Sequence, residues 1–169
     1  MEERLLIGVI GALVGSFGYF LVALAIQRRE FIRRGRDAAR AVYFEIGVNH
    51  LNIFTALEYG AFGSLARATF DRLLPELATW LPANELQAIA LAYMGHAGYE
   101  QARAGAGIPE ALRRGQLRIL AETHRTAVEL LRRRAFSRRE IETLHAHATI
   151  EQQRLMRAAD QPTPSEVAR

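Results

Sequence analysis

The run from Leu5 to Ile26, LLIGVIGALVGSFGYFLVALAI, is 22 residues long and carries no charge. As a helix rising about 1.5 Å per residue it extends about 33 Å, close to a hydrocarbon core of about 30 Å. A helix lying on a globular core would show a polar face over that length, so the run predicts one transmembrane helix. Beyond Gln27 the pattern becomes amphipathic. Phe31, Ala38, Val42, Ile46, Ile53 and Leu57 recur near a 3.6-residue period, interrupted by Asn49. The spacing predicts a helix continuing from the span and ended by Gly60 and Gly63.

A second segment begins near Ser64, with Leu65, Ala68, Leu73, Leu77, Trp80 and Leu81 apolar, and Pro75 is expected to split it into two short helices. Pro82 precedes Asn84-Glu85-Leu86-Gln87, a capping-box pattern opening a central apolar helix, LQAIALAYMGHAGYEQAR. Gly105 to Gly107 read as a turn, and Pro109 suits the start of a helix running to about Arg134. Its inward positions are expected at Leu112, Leu117, Leu120, Val128 and Leu131. Ser137-Arg138-Arg139-Glu140 is another capping box, opening a last helix to about Ala159. Nothing alternates with period two for long enough to form a strand. The expected fold is all-α: one N-terminal transmembrane helix continuing into an irregular cytoplasmic helical bundle of about four to five helices. The organisation is an anchor at 1–27, a basic juxtamembrane segment at 28–40, a helical domain at 41–159 and a disordered tail at 160–169, where Pro162, Pro164 and Ser165 fall.

Charge adds the orientation. Residues 27 to 40 hold six arginines against Glu30 and Asp37, whereas the flank before the span has Arg4 against Glu2 and Glu3. The positive-inside rule therefore puts the N terminus outside and the bundle in the cytoplasm of a bacterial inner membrane. A cleaved signal peptide ending at Ala23-Leu24-Ala25 is the rival reading, but the preceding flank is not basic and the arginines that follow resist export. Arg28, Arg29, Arg33, Arg34 and Arg36 set this topology and can pair with anionic headgroups, at about 1 kcal/mol each near the surface. Further on, residues 41 to 112 are net −4 and residues 113 to 139 net +7. The two blocks are expected to face each other in part, leaving Arg113, Arg114, Arg132, Arg133, Arg134, Arg138 and Arg139 as candidates to meet a partner. All 22 basic residues are arginine. The basic block lacks interleaved aromatics and a reader motif, so nucleic acid is not the expected partner.

Within the span, Gly8, Gly11, Gly15 and Gly18 fall at spacings of three, four and three. Lipid gives no hydrophobic drive between helices, and small residues permit the close approach from which membrane helices gain packing energy. This face is expected to pack on another transmembrane helix, of another subunit or of a second copy, or on a flat cofactor.

Candidate chemistry is sparse. With no cysteine, disulfides, thiolate catalysis and thiolate metal sites are excluded. There is no lysine to complete a phosphate-binding loop, and no nucleophile-elbow serine. Glu142-x-x-His145 has di-iron spacing but lacks the second such pair. His96 and Glu100 lie one turn apart and could share a metal, although a histidine bonded to its helical neighbour is the simpler reading. Asn49, next to His50 and one turn from Glu45, is expected to satisfy a backbone group or fix register. No catalytic residue, metal site or cofactor is expected.

The Glu45-Ile46-x-x-Asn49 pattern after the basic flank, with Leu91-Ala92-Tyr93 in the central helix, resembles short uncharacterised bacterial single-pass membrane proteins with a small helical cytoplasmic domain. The resemblance covers most of the chain in outline and brings no activity with it. The function expected is therefore non-enzymatic: an accessory or scaffolding subunit of a membrane complex, with the bilayer and other transmembrane helices as partners. Two alternatives are a self-associating membrane effector or sensor controlled by the bundle, and a metal-dependent enzyme using His96 and Glu100.

Overall fold

The computed structural model describes residues 2–105 and 107–144, with side chains described from residue 15 onward. The described residues contain helices and no strand: α1 (Glu2–Tyr59), α2 (Ala68–Trp80), α3 (Ala83–Met94), α4 (His96–Ala104) and α5 (Glu110–Ala135). Helical turns resume over residues 138–144. The remainder of the expected last helix and the tail at 160–169 lie outside the described residues.

One helix of 58 residues, α1, carries both the apolar run and the first face of the bundle. No proline interrupts it, so about 87 Å of continuous helix results. It stops where the sequence first supplies a left-handed residue: Gly60 has φ +68°, and its N–H donates to Ala56 O at 3.1 Å. From there α2 runs back along α1, bringing Phe70 level with Glu45 and Trp80 over Gly35. Then α3 and α4 ascend again, with Tyr93 at Glu45 and Tyr99 beside the end of α1. Finally α5 descends from Leu117 and Leu120, near Ile53 and Ala56, to Ala135 beside Arg40. The core lies in two layers. One gathers Val42, Ile46, Phe70, Leu77, Ile89, Tyr93 and Leu131, and the other gathers Ile53, Ala56, Tyr99, Leu117 and Leu120. Phe70 and Tyr93 stack at 4.2 Å in the first layer. Each such side chain contributes about 1.5–3 kcal/mol through removal from water.

Residues 61–67 make no helix of their own, and α1 satisfies their backbone with side chains. Asn49, fully buried, accepts from Ala66 N–H at 2.8 Å and donates to Ala66 O at 2.7 Å. Asn52 donates to Ser64 O, and Tyr99 donates its hydroxyl to Gly63 O. One turn back, Glu45 caps α2 from outside that helix. Its carboxylate accepts from Thr69 N–H at 2.8 Å and Phe70 N–H at 3.0 Å, where no side chain of α2 makes a cap. Tyr93 O–H donates to the same carboxylate at 3.0 Å. Burial, with the Glu45 charge second, pushes the Tyr93 hydroxyl above its usual range and keeps it a donor. Asn49 thus takes the backbone-satisfying role that its place on an apolar face implied.

The approach of Trp80 to α1 depends on Gly35, where a Cβ would lie 2.6 Å from Trp80 Cβ. That contact is at the stem of a large ring, which cannot swing aside cheaply. Gly35→Ala is expected to cost about 1–3 kcal/mol and to redden the emission of Trp80, the single tryptophan, with denaturation followed by that fluorescence. Gly47→Ala is the control. A Cβ at Gly47 meets nothing within 4 Å, so the change should stabilise the helix by up to about 1 kcal/mol.

Several local expectations give way to tertiary packing. Pro75 does not split the second segment: α2 is continuous through it, because burial of Phe70 and Leu77 on either side outweighs the hydrogen bond that proline lacks. The central helix instead divides at Gly95 into α3 and α4. A Cβ at Gly95 would overlap Leu120 Cδ1, so the glycine lets α5 come close. Asn84 is not a cap. The chain turns at Pro82, whose carbonyl accepts from Glu85 N–H and Leu86 N–H, while Glu85 reaches Arg134 instead. Phe31 and Leu112 are exposed rather than inward. The Ser137–Glu140 box forms, with Ser137 N–H donating to Glu140 Oε2 at 2.7 Å.

Candidate functional site

The bundle covers only one side of α1. Opposite the buried Val42, Ile46 and Ile53 lies a row formed by Phe44, Val48, Leu51 and Phe54, which are 56%, 58%, 61% and 46% exposed. Their spacing of four, three and three keeps them on one face. Phe136 touches the edge of this row at Phe44, with ring centroids 6.2 Å apart. Toward the N terminus Phe17, Tyr19, Phe20, Leu21, Val22, Leu24 and Ile26 are all exposed. A Cβ at Gly15 or Gly18 would meet nothing within 4 Å, so neither glycine serves packing within the single chain. At about 100° per residue, Gly15, Gly18 and Val22 fall on the same half of α1 as the Phe44–Phe54 row.

Among the described residues, no helix is long and apolar enough to cross a membrane. Of the expected span, the side chains from Gly15 to Ile26 are described, while Leu5 to Val14, with Gly8 and Gly11, lie outside the described side chains.

The arginines divide into two groups. Arg28, Arg29, Arg33, Arg34 and Arg36 are exposed along α1 just after the apolar run, where Arg34 approaches Glu30 at 3.6 Å. In the block from 113 to 139 most arginines are held by carboxylates. Arg113 and Arg114 bracket Glu110, and Arg132 and Arg133 each reach Glu129 at 2.7 Å. Arg134 donates to Glu85 at 2.8 Å, and Arg138 lies 3.3 Å from Glu142. Hydrogen bonds from Arg132 and Arg133 hold Glu129 down at about 2. Arg139 makes no ion pair among the described residues. Among the described residues, Arg134 joins the basic block to Glu85 in α3, and Arg113 and Arg114 join it to Glu110 at the start of α5, while the other pairs lie three or four residues apart along the C-terminal helices.

The histidines meet in a way the sequence did not show. His124 is buried, and its Nδ1 lies 3.0 Å from Leu120 O, so that nitrogen carries the proton and donates. Its Nε2 is left as an acceptor for His96 Nε2–H at 3.3 Å. The ring planes are within 14° and the centroids 5.4 Å apart, an end-to-end pair of neutral imidazoles. Burial lowers both groups, His124 to about 4. His50 is lowered by the same cause, and its Nδ1 is buried without a hydrogen-bond partner. Glu100 pairs with Arg103 at 3.1 Å, so His96 and Glu100 turn to different partners. Among the described residues no group of three His, Asp or Glu side chains could hold a metal. His145 lies outside the described residues.

Sequence reasoning missed His124, whose partner is 28 positions away. It also passed over the outer row of α1, although the spacing of Phe44, Val48 and Leu51 was there to read. No family model, curated protein or solved structure matches the chain.

Proposed function

We propose that the chain is a membrane-anchored, non-enzymatic interaction subunit, held by the Leu5–Ile26 span with its bundle on the cytoplasmic side. The observation that carries this reading is the uncovered apolar face of α1. Four large side chains in a row, 46–61% exposed, are more than the scattered surface hydrophobics of an ordinary monomer. The occupant is a helix of a membrane partner, lying along α1 from the glycine face of the span to Phe54. The juxtamembrane arginines fix the height of that contact at the headgroups. Local carboxylate pairing leaves most of the arginines from 113 to 139 a minor part in it.

Self-association is the second reading, favoured by the open glycines at Gly15 and Gly18 lying on the same side as the outer row. In that case α1 pairs with α1 of another copy.

The test is the pair Val48→Glu and Leu51→Glu, made in the full chain. Both positions are exposed, so stability should change by no more than about 0.5 kcal/mol each. The mass of the detergent-extracted assembly should fall to that of the single chain. An unchanged mass, with folding intact by circular dichroism, would remove the outer face as the contact.

A further inference from the structure

The face of α1 turned away from the bundle changes character along its length. Arg29, Ile32, Arg33, Arg36, Asp37 and Arg40 line one groove of about 360 Å³. Its four arginines are spaced by four, three and four. At about 100° per residue they fall on the same half of α1 as Gly15, Gly18 and the Phe44–Phe54 row. From the N terminus onward this face is small and apolar, then cationic, then large and apolar.

Arg40, the last of the row, already has carboxylates: Asp37 lies 3.9 Å away, and Glu140 reaches it from beyond α5. Among the described residues Arg29, Arg33 and Arg36 make no ion pair, and all three are exposed. Headgroups account for only the lower part of the row. Along the helix Arg29 stands about 5 Å beyond Ile26, Arg33 about 10 Å and Arg36 about 15 Å, against a headgroup layer of roughly 5–8 Å. Phe44 stands about 27 Å beyond Ile26, out of reach of lipid. An occupant running from the glycine face to Phe54 therefore passes Arg29, Arg33 and Arg36 on the same side.

A second copy, held parallel by a shared membrane orientation, fits this face badly. A two-fold pair brings the same patch of each copy together. Here that sets three unpaired guanidiniums against three, and like charges placed opposite one another disfavour the contact.

We propose that the occupant of the outer face of α1 is a different chain, a helix with a row of aspartates or glutamates level with Arg29, Arg33 and Arg36 and apolar residues on either side of that row. This rests on the membrane-anchored reading above and names the chemistry of its partner. Carboxylates spaced by four and three match the arginines turn for turn. Their pairing fixes the register of the two helices, as charges flanking an apolar seam do in coiled coils.

The test uses the chain itself as the acidic probe. A copy with Arg29→Glu, Arg33→Glu and Arg36→Glu keeps both apolar stretches of the face and reverses the charge between them. Pairing of labelled native and reversed chains is read by energy transfer in uncharged detergent. The mixed pair should be about tenfold tighter than the native chain with itself, as three exposed ion pairs replace three repulsions. The preference should fade in about 1 M salt. A copy with Arg28→Glu and Arg34→Glu, which lie off the row, should show none. Native chains that pair with one another as tightly as with the reversed copy would overturn the proposal in favour of self-association, and an equal preference for the off-row copy would overturn it too. In the assembly extracted from its own membrane, Arg29→Gln with Arg33→Gln should lower the partner content, and Arg28→Gln with Arg34→Gln should not. Loss of the assembly with Val48→Glu and Leu51→Glu but not with Arg29→Gln and Arg33→Gln would overturn the acidic partner. The outer-face contact would then stand, with headgroups as the counter-charge of the arginines.

Discussion

Glu45→Ala is expected to destabilise the bundle by about 1.5–5 kcal/mol, because one carboxylate serves both a helix N terminus and a buried hydroxyl. The carboxylate stands in for the missing cap of α2 by accepting from Thr69 and Phe70 N–H, and it also receives the Tyr93 hydroxyl. Loss of a helix cap costs about 0.5–2 kcal/mol. A buried hydroxyl left without a partner adds about 1–3 kcal/mol, and Phe70 and Tyr93 are 3% and 1% exposed, so water cannot easily replace the acceptor. Denaturant unfolding of the detergent-solubilised chain reads the effect. Tyr93→Phe in the Glu45→Ala background should cost less than in the native chain, because one unpaired group has been removed. A loss below about 1 kcal/mol for Glu45→Ala would show that this carboxylate does not hold α2 to α1.

The second large effect is with pH. His124 has an ordinary value of 6.5 and is lowered to about 4 by burial. The unfolded chain therefore takes up a proton before the folded one does. The stability from keeping this ring neutral is complete above pH 6.5, is lost as pH falls from 6.5 toward 4, and declines no further below that. At pH 5 the loss is about 2 kcal/mol, at about 1.4 kcal/mol per unit. His96 and His50 are shifted in the same direction and add to it. Around these rings Arg67 and Arg125 reinforce the lowering, while Glu45, Glu100 and Glu122 oppose it. Glu129, held at about 2, titrates below this window. Unfolding midpoints at pH 7 and pH 5 test the linkage. The native chain should lose stability between them, and His124→Leu should flatten most of the slope. An equal slope in both proteins would remove His124 as its source.

Local signals with a local cause were legible in the sequence. Gly60 ends α1 because it alone there adopts positive φ easily, and Ser137 and Glu140 cap each other from three residues apart. The buried stripe of Ala38, Val42, Ile46 and Ile53 followed from periodicity. What escaped depends on partners distant in the chain. Pro75 reads as a breaker until Phe70 and Leu77 are seen buried around it, and Gly95 reads as a tolerated glycine until Leu120 fills its place. Asn84 offered a cap, but the helix already begins at Ala83 after Pro82, which puts Asn84 inside it. His124 carries no sequence signature, since its protonation is set by Leu120 O on one side and His96 on the other. Net charge over a segment also hides glutamates placed three or four residues away, where helices bring them into contact with the arginines.

The most direct test of the proposed role is the mass and composition of the assembly extracted from its own membrane in mild detergent. A stoichiometric set of other membrane subunits is predicted, released by Val48→Glu and Leu51→Glu. A homo-oligomer alone would replace the accessory role with self-association along α1. Extraction as a single chain, or recovery without any membrane association, would contradict the account.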